Sequence, residues 1–280
     1  MSKWDADRVR LVDWGHRLNR RVRRRLEARK RTDSFTTNPS TPPRDAALTL
    51  PAGAPDAIMA SNQHGVYCVP RSALHRPVAR TILDTRVWEP ETLDLVRSAN
   101  ATGDIVHAGT FFGDFIPALA RSRHAGALVW AFEPNQENHR CAGVTIELNS
   151  LENVVLRNAG LSERSDTALL ATSDRKGVSL GGGSRLVDDP SAVEGLRNEQ
   201  VNLVAIDDVV SDDRQVAVIQ LDVEGHEQEA LTGAMGTIER CRPLIVLETL
   251  PSASWIAENL APLGYRVAGT VDANTIVRPS

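Results

Sequence analysis

Cysteine is scarce in this 280-residue chain: Cys68, Cys141 and Cys241 lie far apart and form no CxxC pair. That spacing argues against a disulfide framework and a structural zinc site, and the odd count suits reduced, buried thiols. Long apolar runs are also missing. None approaches the roughly 20 residues that cross a bilayer, and the N-terminus lacks a signal peptide's apolar stretch. A cytoplasmic, soluble protein is the expectation. There is no internal repeat, and no dedicated ligand spacing calls for a metal. What is present is ordinary: 41% hydrophobic and 24% charged residues, enough for one large domain with appendages. A domain of roughly 200 residues buries about 70% of its unfolded surface and needs no cross-link.

The net charge of −4 conceals a polarity. Nine basic residues and one acid, Glu27, lie between Arg17 and Arg31, so the body downstream is acidic. Leu11, Trp14, Leu18, Val22 and Leu26 recur at three- and four-residue steps, which predicts a basic amphipathic helix within residues 1–31. Residues 32–57, rich in Pro, Thr and Ser, read as a linker, and 58–280 as the compact domain. Such an arm fits peripheral contact with an anionic membrane, a partner-binding helix or a solubilising tail. It also fits phosphate binding. No aromatic interleaving follows it, and an acidic body repels a polyanion, so nucleic acid is the weaker reading. Homo-oligomerisation stays open.

Within the domain, apolar strands alternate with amphipathic helices. Strands are expected at 104–108, 128–132, 154–157, 216–221 and 244–248. Helices are expected from Glu89-Pro90 onward and at 113–121, 136–148, 227–238 and 252–263. A hairpin of 265–268 and 275–277 would close the chain. This alternation predicts an α/β fold, a parallel sheet covered by helices on both faces. Residues 162–200, with Gly181-Gly182-Gly183, read as an inserted loop or hairpin.

Three strand ends carry chemistry. The first runs through His107-Ala108-Gly109-Thr110 to Gly113, a strand-to-helix turn where glycine lets backbone approach a ligand. The second ends in Glu133-Pro134-Asn135, about 20 residues on, where a carboxylate accepts ribose hydroxyls. Together they point to a nucleoside. The third is Asp222-Val223-Glu224-Gly225-His226-Glu227, in which crowded acids are costly without a purpose. Glu227 alone is explained by a solvated first helical turn. Asp222 is the first candidate for a base or substrate-orienting group, Glu224 the second, with His226 and His64 behind them.

These strings carry a resemblance. "QLDVEGHEQEALTGA" followed by "RPLIVLE", "AFEPNQENH", "LENVVLRNAGLSE" and "VWEPETLDLV" are similar to motifs of the FkbM family of S-adenosylmethionine-dependent methyltransferases. The likeness runs roughly from Gly65 to Val277. It implies a class I, Rossmann-like methyltransferase fold, with a mostly parallel seven-stranded sheet and a C-terminal antiparallel hairpin. It implies S-adenosylmethionine as cofactor, held by His107, Gly109, Thr110, Gly113, Glu133, Pro134, Asn158, Ala159 and Asp222. It implies methyl transfer to a hydroxyl of a glycan, glycolipid or small natural product. Two other readings stay open, a nucleic-acid methyltransferase using the arm and a cofactor-binding protein without catalysis. One departure stands out: His107 replaces the aspartate usual in the first-strand motif. A neutral imidazole at the cofactor's ammonium end still hydrogen-bonds, whereas a charged one repels it. With an unperturbed pKa, cofactor affinity would fall below about pH 6.5.

Overall fold

The structure, a computed structural model, describes residues 50, 53–187 and 194–280. The basic helix expected at 1–31 and most of the 32–57 linker lie outside them. The described chain opens with an antiparallel hairpin of β1 (Ala57–Asn62) and β2 (Gly65–Pro70). Two proline-started helices follow, α1 (Pro77–Leu83) and α2 (Pro90–Arg97), the second with Glu91 in its first turn and Arg97 in its last, matching the dipole.

Strand and helix then alternate: β3 (Asp104–Ala108), α3 (Ile116–Arg121), β4 (Val129–Phe132), α4 (Gln136–Leu148) and β5 (Val154–Arg157). The next segment, β6 (Gly160–Leu161), β7 (Asp166–Ala171), β8 (Arg185–Val187) and β9 (Asn198–Val204), corrects the expectation of a loop or single hairpin. It forms its own sheet in the order β6-β9-β7-β8. The chain ends with α5 (Ile206–Val209), β10 (Val216–Leu221), α6 (Glu227–Thr232), α7 (Met235–Cys241), β11 (Leu244–Leu247), β12 (Tyr265–Val271) and β13 (Asn274–Pro279).

The main sheet has seven strands in the order β12-β13-β11-β10-β3-β4-β5. Only β13 runs against its neighbours, giving the expected C-terminal hairpin on an otherwise parallel sheet. Alternation along each strand sends residues to two helix layers. Val106, Phe132, Ile219 and Leu221 pack with Leu231 and Ile238, whereas Ile105, Val129 and Val218 pack with Leu93, Phe115 and Leu119. Cys68 and Cys141 are fully buried together under the β1–β2 hairpin, and Cys241 is half-buried.

Three helices differ from the sequence reading. The helix expected from Gly113 begins at Ile116, because Thr110–Phe115 fold into turns first. The single helix expected at 227–238 breaks after Thr232. A Cβ on Gly233 would stand 2.1 Å from the carbonyl oxygen of Ser162, so the chain passes that carbonyl on a bare glycine. Ser252–Leu263 is a short turn, Ala253–Trp255, continued by a π-helical turn.

Candidate active site

The sheet order reverses between β3 and β10. In such sheets the crevice beyond the carboxyl ends at that point receives ligands. Here it holds a cleft of about 440 Å³, its open mouth included, lined from the tips of β3, β4 and β10, the turn after β5, and the second sheet. Of the residues singled out in the sequence, Gly109, Glu133, Pro134, Ala159, Asp222 and His226 line it.

Gly109 makes the tightest contact of the set. Its φ is +79°, and a Cβ there would stand 1.8 Å from the main-chain oxygen of Asp222. The backbones of β3 and β10 therefore close upon each other at the cleft floor, joined by the Asp222 N–H donating to Ala108 O at 3.1 Å.

Glu133 is only 4% exposed. One carboxylate oxygen accepts from Phe111 N at 2.7 Å, the other from Asn135 N at 2.9 Å and Asn138 Nδ2 at 3.5 Å. Burial pushes its pKa up to about 8, against the pull of those donors. The carboxylate is thus clamped rigidly, with lone pairs left for hydroxyl donors in the cleft. Asn158 does not line the cleft. Its amide donates to the carbonyls of Glu133 and Pro134, both at 2.9 Å, and fixes the turn that carries them.

Thr110 and Gly113 also stand behind the surface. The Thr110 hydroxyl donates to His107 O, and Gly113, at φ +84°, donates its N–H to Thr110 O at 2.8 Å, shaping the turn rather than lining the cleft. His107 is 3% exposed, stacked on Phe115 with ring centroids 5.8 Å apart. Its Nδ1 bonds Gln220 Oε1, and its Nε2 has no partner. With Nδ1 as donor, Nε2 is a buried acceptor facing no donor of the chain.

Burial lowers the His107 pKa to about 4, so the expectation of a titration near 6.5 is corrected. The ring stays neutral across the physiological range. Because the folded value lies below the unfolded one, its cost appears as pH falls from 6.5 towards 4. Across that interval the unfolded chain binds the extra proton. Thermal denaturation should show acid destabilisation of about 3 kcal/mol from this group, absent in His107→Gln. Equal acid slopes in both proteins would refute it.

The third motif divides. Asp222 lines the cleft; Glu224, in the left-handed region at φ +56°, lies beside it. His226 Nε2 meets Ser162 Oγ at 3.2 Å, and its Nδ1 lies 3.7 Å from Glu229. Glu227 corrects the expectation of a solvated helix acid. It is 1% exposed, one oxygen accepting from Val223 N at 3.2 Å and the other unpartnered, so it braces the turn bearing Asp222 and Glu224. His64 sits in the turn after β1, facing Asp94, Arg97 and Arg121, and takes no part in the cleft.

Sequence reasoning missed two contributions. Glu248, at the tip of β11, brings its carboxylate within 4.8 Å of those of Asp222 and Glu224. Its signal was present, since "RPLIVLE" ends an apolar run in an acid as the β10 motif does. The second is the roof: Leu161, Leu170, Gly182, Ser184 and Leu186 line the cleft from the second sheet and its connections. Gly181 and Gly182 pack on the Phe111 ring, Gly183 faces Arg76 and Glu224, and the segment is tied to α4 by Asn138 Nδ2 donating to Gly181 O at 3.1 Å.

The arrangement offers leucines for a flat apolar group, a clamped carboxylate for vicinal hydroxyls, and an acidic end at Asp222. A nucleoside with a positively charged substituent fits that sequence of surfaces. The Methyltransferase FkbM domain model matches residues 107–267, more than half of the chain. The chain belongs to the FkbM methyltransferase family. It is a family of S-adenosylmethionine-dependent methyltransferases. No match came from the curated proteins. Among solved structures, an FkbM methyltransferase from Methylobacillus flagellatus KT is 18% identical, over 63% of this chain and 43% of its own, with a TM-score of 0.40. This chain thus spans less than half of that relative's length. A tRNA (uracil-54, C5)-methyltransferase from Pyrococcus abyssi, in complex with S-adenosyl-L-homocysteine, is 13% identical over 80% of this chain and 44% of its own, TM-score 0.41. An O-methyltransferase from Bacillus cereus is 14% identical over 68% and 78%, TM-score 0.36. Among the described residues no helix is long and apolar enough to cross a membrane.

Proposed function

We propose that this FkbM-family methyltransferase is an O-methyltransferase acting on a hydroxyl of a glycan, glycolipid or small natural product. The observation that carries this reading is the Asp222 carboxylate, lining the same cleft as Glu133 at the switch point of the sheet. Methyl transfer to a hydroxyl needs an aligned nucleophile and a group to take its proton. S-adenosylmethionine supplies the methyl as an electrophilic carbon on a sulfonium. Glu133 would accept the ribose hydroxyls, Pro134 and Ala159 with the leucines of the roof would hold the adenosine, and Gly109 would leave room for the chain leading to sulfur. His107 does not line the cleft; its neutral ring, buried behind the first-strand turn, would support the end of the cleft that takes the amino-acid part. Asp222 orients and deprotonates the acceptor, with Glu224 and His226 at the rim.

The basic stretch Arg17–Arg31 suits acceptors held at an anionic surface. The acidic cleft favours a neutral hydroxyl over nucleic acid, the alternative acceptor. Incubation with S-adenosylmethionine and a panel of sugars, glycolipids and hydroxylated metabolites should release S-adenosylhomocysteine with one class. Turnover on tRNA or DNA alone would reverse the choice, and tight binding without turnover on any acceptor would favour a non-catalytic protein.

The cofactor half is testable without an acceptor. Measured above its raised pKa of about 8, where Glu133 is ionised, Glu133→Ala should weaken S-adenosylmethionine binding by about 1.5–3 kcal/mol, the range for hydrogen bonds to a charged group. Unchanged affinity by calorimetry would remove Glu133 from the site.

A further inference from the structure

We propose that Asp222 and Glu248 act as one proton-sharing pair, in which Glu248 is a positioning residue that sets the charge of Asp222. The inference rests on the methyl-transfer reading of the cleft and names a residue that reading did not use.

The pair is built by sheet register. β10 and β11 run parallel with Leu221 opposite Leu247, so the next residues, Asp222 and Glu248, emerge side by side at the carboxyl edge. Glu248 N donates to Leu221 O at 3.1 Å and locks that alignment. Their carboxylate oxygens lie within 4.8 Å of each other and of Glu224.

The groups facing the pair are mostly acids. Glu224 and Glu89 face both members, and Glu227 faces Glu248. The cations Arg76 and Arg185 face Glu224 instead, and among the described residues no salt bridge reaches Asp222 or Glu248. Two carboxylates this close, without a cation between them, relieve their repulsion by holding one proton in common. Burial and the Glu248 carboxylate both push the Asp222 pKa well up.

A consequence follows for the order of events. In the cofactor-free protein the pair carries one proton and a single negative charge. A positive charge seated in the cleft favours release of that proton, and Asp222 becomes a free carboxylate only then. It can afterwards take the proton an acceptor hydroxyl loses. The hydroxyl O–H bond breaks, a carboxyl O–H bond forms, and the acceptor oxygen keeps the electron pair it uses on the methyl carbon. Base and methyl donor are thereby present together.

The decisive measurement needs no acceptor. Burial and the neighbouring Glu248 carboxylate raise the Asp222 pKa on folding, so that group's contribution to stability is present at low pH and lost as pH rises through the folded value. In EDTA-treated, cofactor-free protein, the Tm of Glu248→Gln should match the parent at pH 5 and exceed it by about 3 °C at pH 8. Asp222→Asn should behave alike, and the double variant should gain no more than either single one. A Glu248→Gln Tm at or below the parent's at every pH would overturn the pair. So would a Tm rise with magnesium, manganese or calcium alone in the parent but not in the variant, which would make the cluster a cation seat. Calorimetry with S-adenosylmethionine in two buffers of different ionisation enthalpy should show the parent releasing a proton that Glu248→Gln does not. Equal release would overturn the charging step. Absence of any binding by the parent would count against the cofactor reading instead, while the Tm result still decides the pair.

Discussion

Gly109→Ala should destabilise the protein by about 3–5 kcal/mol and lower its affinity for S-adenosylmethionine at least about 100-fold. Two penalties combine there. A φ of +79° costs an L-residue about 1–2 kcal/mol by itself. The added methyl would also stand 1.8 Å from the main-chain oxygen of Asp222, a partner that cannot swing aside as a side chain does. Relief requires β3 and β10 to separate at their tips, which breaks the hydrogen bond from Asp222 N to Ala108 O and displaces the cleft floor. Gly113→Ala separates the two effects. Gly113 shares the left-handed backbone, at φ +84°, but its Cβ would meet nothing closer than 3.4 Å, so only the conformational part should appear. Chemical denaturation and calorimetry on both variants provide the comparison. Equal losses in the two would mean that the approach to Asp222 carries no special weight.

The two glycines also show where sequence reading succeeds and where it stops. That Gly109 and Gly113 bracket a turn is legible, because the apolar run before them and the residues after them have different periodicities. That Gly109 touches Asp222, over a hundred positions away, is not, since the contact is created by strand order. The same holds for Glu133 and Asp222. Each is visible as an acid at the end of an apolar strand, and the parallel sheet places both at one edge. Glu248 obeys the same rule and was passed over because its strand carries no glycine motif to draw attention. The cleft's roof was not legible. Its strands are partly exposed: Asp166–Ala171 buries only its second half without alternation, and although Asn198–Val204 alternates between exposed Gln200 and Asn202 and buried Val201 and Leu203, its pairing across a long connection leaves no local mark. His107 was legible as a departure but not as a buried, neutral ring. Its depth depends on Phe115 stacking upon it and on Gln220 meeting it from the neighbouring strand.

Asp222→Asn should cut turnover about 10²- to 10⁴-fold on the acceptor that the hydroxyl panel identifies, the usual worth of general acid–base help. The amide keeps the size of the carboxylate and leaves the Asp222 N–H bond to Ala108 O in place, so the floor of the cleft is undisturbed. What it loses is the ability to take a proton. Cofactor affinity should therefore change by only a few-fold, because the asparagine still borders the same cleft while Glu133 keeps its clamp of N–H donors. The pH profile sharpens the distinction. The Asp222 pKa is raised by burial and by Glu248, so the parent's rate should climb with pH until the carboxylate is ionised, and the asparagine variant should lose that limb. Single-turnover measurement keeps product release from masking the chemical step. Retention of most of the rate would move the base to Glu224 or His226. A loss of cofactor binding as large as the loss of turnover would make Asp222 a ligand of the cofactor rather than the group that accepts the acceptor's proton.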